Sequence, residues 1–161
     1  MSKRTPDRIP VVDLFAGPGG LGEGFAAVGR PEGRARFHVA LSVENDPAAH
    51  QTLELRSFFR QFHPPDVPED YYSFVRGDVS REELFTKHPE QSGRARSEAL
   101  LSTLGGGDGD LIDRRVRKAR RGAPCWVLLG GPPCQAYSLV GRSRNRGNAD
   151  YRAEDDPRNK L

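Results

Sequence analysis

The apolar residues of this chain fall into four short runs, and segments with helix signals separate them. The first two runs are Ile9–Leu14 and Phe37–Val43, and we assign the third and fourth to Tyr72–Val75 and Trp126–Leu129. Continuous apolar runs of this length are typical of strands that are buried on both faces. The pattern therefore predicts four strands.

The segments between the first three runs carry recognisable helix boundaries. A glycine-rich turn over Phe15–Gly24 leads into a short helix that ends near Gly29. Asp46 reads as an N-cap and Pro47 as the first residue of a second helix, which extends to about Phe62. The sequence thus alternates strand and helix through its first half.

The segment between the third and fourth runs is longer than a simple crossover requires. Ser80 and Glu83 form a capping-box pattern for one helix. Ser97–Leu104 and Asp110–Arg121 are expected to form two more helices. We interpret residues 86–124 as extra helices within the last crossover.

Alternation of strands and helices indicates a mainly parallel sheet with right-handed crossovers. The 161 residues are enough for one domain with a substantial core, and there is no internal repeat. The predicted fold class is therefore α/β, in a single domain over residues 1–161.

Composition adds little beyond two basic clusters. The net charge is +3, and only two cysteines are present, too few for a disulfide framework. The N-terminus has no signal peptide or membrane span, so we expect a cytoplasmic protein without membrane contact. Residues 114–121 hold six cations, which suit either phosphate contact or a solvated helix face. Phosphate contact is the favoured interpretation for the arginines at 142–146.

The most specific feature is a cysteine presented on a rigid turn after the fourth strand. Gly130 and Gly131 free the backbone, and Pro132 and Pro133 then fix φ immediately before Cys134. A thiol presented in this way is a candidate nucleophile. Cys125, which lies before the apolar run, is interpreted as structural.

A second feature is a set of polar groups placed where strands end. Asp13–Gly22 is a glycine-rich strand-to-helix turn, Glu44 follows the second strand, and Asp78 follows the predicted third. Parallel α/β sheets bind ligands at the carboxyl ends of their strands. Taken one at a time, a tight turn, a surface carboxylate or a cap residue would explain each equally well.

Together these motifs resemble the C5-cytosine DNA methyltransferase family. The matching residues are Asp13–Gly20, Glu44, Gly77-Asp78 and Gly131–Gln135 with Ser138, in the family's order. The resemblance implies a Rossmann-like S-adenosylmethionine-dependent methyltransferase fold, present here as its four-stranded N-terminal half. Residues 1–161 would then be a single, partial catalytic domain.

The resemblance also implies a cofactor site for S-adenosylmethionine. Phe15 would pack on the adenine, the loop backbone would hold the methionine part, Glu44 would bind the ribose and Asp78 the adenine. The residues assigned to the cofactor are Asp13, Phe15, Ala16, Gly17, Gly19, Gly20, Leu21, Glu44, Asn45, Asp78, Val79 and Pro132.

The same resemblance implies that Cys134 attacks C6 of a cytosine in DNA and forms a covalent adduct. Gln135, Ser138, Arg142 and Arg144 would belong to a loop that closes on the DNA. No metal is implied.

One family motif, Glu-Asn-Val, is missing after Cys134. We therefore expect a fragment, one half of a split enzyme with a complementing C-terminal chain, or a non-catalytic binding remnant. A nicotinamide-dependent oxidoreductase and an RNA methyltransferase are further alternatives.

Overall fold

The computed structural model describes residues 8–29 and 35–131. Its strands are β1 (Ile9–Leu14), β2 (Phe37–Glu44), β3 (Ala99–Leu101) and β4 (Val127–Gly130). They form one sheet in the order β3-β2-β1-β4, and each neighbouring pair is parallel. The predicted α/β class with a parallel sheet is confirmed.

Six α-helices lie within the described residues, and a 3-10 turn at Pro64–Asp66 follows the second of them. Two predicted helix starts are confirmed. Asp46 caps the second helix by accepting the Ala49 N–H at 2.7 Å, and Ser80 caps the fourth by accepting the Glu83 N–H at 3.1 Å. The helices are α1 (Gly20–Ala27), α2 (Pro47–Arg60), α3 (Glu69–Arg76), α4 (Arg81–Lys87), α5 (Pro89–Glu98) and α6 (Gly109–Ala119).

Helices lie against both faces of the sheet. Successive strand residues point to opposite faces and therefore contact different helices. Val12 packs with Ile112 of α6, whereas the next residue, Asp13, faces Gly22 of α1. Leu53 of α2 packs with Ala16 and Ala99 in a separate cluster. The sheet therefore lies between α6 on one side and α1 on the other.

The predicted third strand is wrong, because Tyr72–Val75 lies inside α3. Tyr and Val favour strands locally, but Tyr71 and Phe74, three residues apart, pack together against the cluster of α2, α4 and α5. Gly77 ends this helix with φ of 87°, a left-handed conformation that suits glycine. Tertiary packing and a helix stop signal therefore outweigh strand propensity here.

The actual third strand lies where a helix was predicted. α5 ends at Glu98, and Ala99–Leu101 then pairs with Ser42–Glu44 of β2. Only three residues pair, so the run is too short to show strand periodicity in the sequence. Long-range pairing with β2 determines the structure of this segment.

The β4 strand carries exposed apolar surface. Within the described residues it pairs with β1 alone, and Leu128 is 55% exposed. The fourth strand thus presents an apolar edge in the described part of the chain.

Candidate functional site

The strands end together along one edge of the sheet. Leu14 of β1 is the register partner of Val43 on one side and of Gly130 on the other. Glu44, the last residue of β2, is in turn the partner of Leu101 at the end of β3. The segments that follow all four strands therefore begin side by side.

The glycine loop after β1 turns sharply toward the end of β2. Phe15 has φ of 57°, a left-handed conformation that costs a non-glycine residue on the order of 1–3 kcal/mol. The turn is held because the Ala16 N–H donates to the Val43 carbonyl at 3.0 Å. The loop backbone thus crosses from β1 to the end of β2, with the Phe15 ring half-buried.

Glu44 fixes this loop through its side chain. One carboxylate oxygen accepts the Gly17 N–H at 2.6 Å. The other accepts the N–H groups of Asn45 at 2.9 Å and Asp46 at 2.8 Å. Glu44 is only 8% exposed, so these charge-assisted hydrogen bonds are sheltered from water. Glu44, which the family resemblance assigns to the ribose, supports the loop in the structure.

Gly19 and Gly20 mark the start of α1 and differ in their surroundings. Gly19 has φ of 91°, and a Cβ there would lie 2.9 Å from Leu53 Cδ1. Gly20 has an ordinary φ, and a Cβ there would meet no atom within 4 Å. Only the first position therefore requires glycine.

We expect Gly19→Ala to destabilise the protein by about 2 kcal/mol, because it combines left-handed strain with a clash against Leu53. Gly20→Ala is the matched control and should be neutral or slightly stabilising, since alanine favours helices. Urea unfolding of both variants measures the difference. Equal stabilities would contradict the described loop.

Asp13 lies beneath the loop and not on its outer surface. It is completely buried, and neither carboxylate oxygen has a hydrogen-bond partner among the described residues. Burial raises the pKa of Asp13, while the nearby Gly22 N–H and the Arg60 charge act in the opposite direction. Its position suits support of α1 better than direct cofactor contact.

Asp78 does not follow a strand, contrary to the sequence prediction. It comes directly after α3, its side chain is 60% exposed, and it pairs with Arg76 at 3.1 Å. Val79 beside it is half-buried. The predicted position after a strand is wrong, because Tyr72–Val75 lies in α3, whereas the assignment of Asp78 to the cofactor stays a prediction.

The residues that do follow β3 are Ser102 and, a short loop later, Asp108. The Ser102 N–H donates to the Glu44 carbonyl at 2.9 Å, and its hydroxyl donates to Asp108 Oδ2 at 2.9 Å. This chain of contacts holds an exposed carboxylate beside the end of β2. The sequence signal for it was weak, because Asp108 stands in a glycine-rich segment that looks like a plain loop.

The remaining assigned residues are distributed as follows. Leu21 of α1 is 54% exposed, and Asn45 is exposed immediately after Glu44. Ala16 and Gly19 are buried within the loop, and Gly20 is exposed. The predictions for Pro132, Cys134, Gln135, Ser138, Arg142 and Arg144 lie outside the described residues.

Two features are absent from the described residues. None of the helices at 8–29 and 35–131 is both long and apolar enough to cross a membrane. In the same ranges, no three side chains of His, Cys, Asp or Glu are grouped as a metal ion would require.

Comparison with known proteins identifies relatives of one kind. The chain is 32% identical over 152 residues to Type II methyltransferase M.Bpa9945I of Bacillus paralicheniformis, covering 83% of this chain and 32% of that protein. It is 26% identical over 153 residues to Type II methyltransferase M.AquIA of a Picosynechococcus species, covering 94% and 39%. It is 28% identical over 153 residues to Type II methyltransferase M.AgeI of Thalassovita gelatinovora, covering 95% and 23%.

These homologues are Type II methyltransferases, which belong to restriction-modification systems. The chain spans only 23% to 39% of their lengths. No family model matches the chain, and no solved structure does.

Proposed function

We propose that this chain is the cofactor-binding and nucleophile-bearing part of a DNA cytosine-5 methyltransferase that uses S-adenosylmethionine. The observation that carries the proposal is the meeting of three features at one edge of the sheet. These are the glycine loop, the Glu44 carboxylate, and the end of β4, which leads directly into Gly131-Pro132-Pro133-Cys134. The homologues support the methyltransferase part of this proposal.

The residues at this edge suit S-adenosylmethionine. The N–H groups of Ala16, Gly17 and Gly19 are bonded within the protein, so the donors for a carboxylate such as that of the methionine part are those of the first turn of α1. Glu44 uses three of about four acceptor positions, which leaves one for a ribose hydroxyl. The half-buried Phe15 ring offers an apolar surface for the adenine. When bound, the cofactor supplies an electrophilic methyl group.

We assign the adenine side of the site to the end of β3. Asp108 is held beside Glu44 through Ser102, and its carboxylate can accept a hydrogen bond from an amino group. Asp78 would have served this purpose only if it followed a strand. The acidic acceptor of the proposed site is therefore Asp108.

Cys134 is the proposed nucleophile, and it follows the end of β4 closely in the sequence. Three residues separate it from Gly130, and the four Cα-to-Cα steps between the two span at most about 14 Å. The Cys134 thiolate would add to C6 of a cytosine that has left the duplex, and C5 would then take the methyl group from the sulfonium, which leaves S-adenosylhomocysteine. Loss of the C5 proton and elimination of the thiolate restore the aromatic ring and the free cysteine.

The choice of cytosine C5 rests on what the chemistry requires. A ring carbon is a weak nucleophile, so its methylation benefits from a covalent thiolate adduct. An exocyclic amino nitrogen has a lone pair that can attack the methyl group directly, so its methylation needs no such adduct. The presented cysteine therefore favours carbon methylation over amino methylation.

We further propose that the working enzyme contains more than these residues. The relatives are two and a half to four times longer than the aligned part, in line with the 23% to 39% coverage. That additional part would supply the glutamate of the Glu-Asn-Val motif and the region that recognises the target sequence. It would belong to the same polypeptide or to a second chain. An additional strand would also cover Leu128, which is 55% exposed.

We expect Asp108→Asn to weaken S-adenosylmethionine binding about tenfold, because one charged acceptor is lost. The matched control is Asp78→Asn, which should leave the affinity unchanged. Isothermal titration calorimetry with S-adenosylmethionine measures both. If Asp78→Asn weakened binding and Asp108→Asn did not, our assignment would be reversed.

A further inference from the structure

Helix α6 has an apolar side and a cationic side that face in opposite directions. Ile112, Val116 and Ala119 lie against the sheet. Arg114, Arg117, Lys118 and Arg121 follow the i, i+3, i+4, i+7 spacing that places side chains on one helical face. All four are exposed. We call these four residues the α6 cationic surface.

The charges of this surface have few partners in the protein. Among the described residues, the ion pair they form is a long one, from Arg117 to Asp113 at 3.9 Å. Two exposed cations elsewhere are paired more closely, Arg76 with Glu69 at 2.7 Å and Lys87 with Asp70 at 2.9 Å. The α6 cationic surface therefore keeps most of its positive charge available to an external anion.

The helix macrodipole explains only part of this cluster. Cations are favourable in the last turn of a helix, where carbonyl groups carry partial negative charge. Arg117 and Lys118 occupy that turn of α6, which ends at Ala119. Arg114 lies before it, and Arg121 lies beyond the helix. Stabilisation of α6 alone therefore does not account for four cations in one row.

α6 also contacts α5, where Arg94 is paired with Glu90 and Glu98 lies nearby, so the unpaired charge belongs to α6 itself. A cavity of about 360 Å³ between α5 and α6 is lined by Arg94, Arg115 and Lys118. The Arg115 guanidinium donates to the Ser97 carbonyl, which fixes α6 against α5. The cationic surface is therefore held at a fixed position on the fold.

This surface lies away from the proposed cofactor edge. α6 begins near Asp108, beside the ends of β2 and β3, and runs back to the start of β4. Its cations lie from the middle of the helix onward, and so toward the amino ends of the strands. Contacts made there are separate from those made around the target base.

We propose that the α6 cationic surface binds the phosphate backbone of duplex DNA at a second position, outside the methyl-transfer cleft. This proposal rests on the proposed function in one respect, because DNA is the substrate of that function and is itself a polyanion. The row from Arg114 to Arg121 is about 10 Å long, which matches about three phosphates of one strand. Such contact would raise affinity without regard to sequence.

The test compares two double variants that remove equal charge. Arg114→Gln with Lys118→Gln weakens the α6 cationic surface, and glutamine preserves helix propensity. Arg76→Gln with Lys87→Gln is the control at exposed, ion-paired positions. Fluorescence anisotropy with a labelled duplex of about 20 base pairs, across a salt series, gives the affinity and its salt dependence. Circular dichroism and thermal unfolding verify that both variants are folded.

We expect the slope of log affinity against log salt to fall by about 2 in the α6 variant and to stay unchanged in the control. Equal slopes in both variants would overturn the proposal. It would also be overturned if the α6 variant bound the duplex normally but bound phosphatidylserine vesicles more weakly. The measurement requires no methyl transfer. Its failure would therefore leave the proposed function standing, and a failure of the proposed catalysis would leave this result standing.

Discussion

Cys134→Ser is expected to reduce methyl transfer by roughly three orders of magnitude or more in the full-length or complemented enzyme. The serine hydroxyl is a much weaker nucleophile than a thiolate at neutral pH, so the adduct at C6 forms too slowly. S-adenosylmethionine binding should persist, because the glycine loop, Glu44 and Asp108 are unchanged. Transfer of a labelled methyl group to DNA, together with calorimetry, measures the two effects separately.

The chain provides its own control for this substitution. Cys125 is a free, exposed cysteine shortly before β4. Cys125→Ser should retain full activity, because that residue lies before the strand and not after it. Loss of activity in both variants would point to a general effect of cysteine removal, and full activity of Cys134→Ser would remove Cys134 from its proposed role.

Glu44→Ala is expected to have the second largest effect, on stability and on cofactor binding together. The substitution removes the acceptor for three backbone N–H groups, of which Gly17 belongs to the glycine loop. Losing these charge-assisted bonds should cost about 3 kcal/mol of unfolding free energy. The loop would also lose its tie to β2, and S-adenosylmethionine binding should fall below detection by calorimetry.

Glu69→Ala is the matched control for that variant. The Glu69 side chain is 73% exposed and pairs with Arg76 on the surface, so its removal should change stability by about 0.5 kcal/mol or less. Urea unfolding and calorimetry on both variants give the comparison. Normal stability with lost cofactor binding in Glu44→Ala would mean that Glu44 serves the ligand alone and does not support the loop.

The parts of the fold that the sequence predicted well are those with strong local signals. β1, β2 and β4 are apolar runs of β-branched and large residues, and the structure has them within one residue of the prediction. Asp46 with Pro47, and Ser80, are cap residues whose side-chain chemistry determines where α2 and α4 begin. The glycine loop was found because its glycines are closely spaced after a strand.

The third strand could not be predicted because its three residues are strand-forming only in the context of β2. Ala99–Leu101 follows a helix directly and gains its hydrogen bonds from Ser42–Glu44, more than fifty residues earlier in the sequence. Tyr72–Val75 has the stronger strand propensity and is nevertheless helical, because Tyr71 and Phe74 pack into an apolar cluster. Asp78 was placed after this mistaken strand, and Asp108, which we propose for the same role, stands after the strand that the sequence did not predict.

Burial separates residues that the sequence alone groups together. Asp13 and Glu44 both stand near strand ends, yet Asp13 faces α1 and has no exposed surface, whereas Glu44 reaches the loop backbone. Whether a strand residue faces a helix or the glycine loop depends on the alternation of side chains along the strand. It also depends on how β1 and β2 pair. A sequence motif gives no direct information on that choice.

The identity of the methylated atom tests the central claim most directly. DNA is incubated with the full-length or complemented enzyme and methyl-labelled S-adenosylmethionine, then digested to nucleosides and analysed by mass spectrometry. We predict that the label is found in 5-methyl-2′-deoxycytidine, and that Cys134→Ser yields none. Label on an exocyclic amino group of cytosine or adenine, or on RNA but not on DNA, would contradict our account.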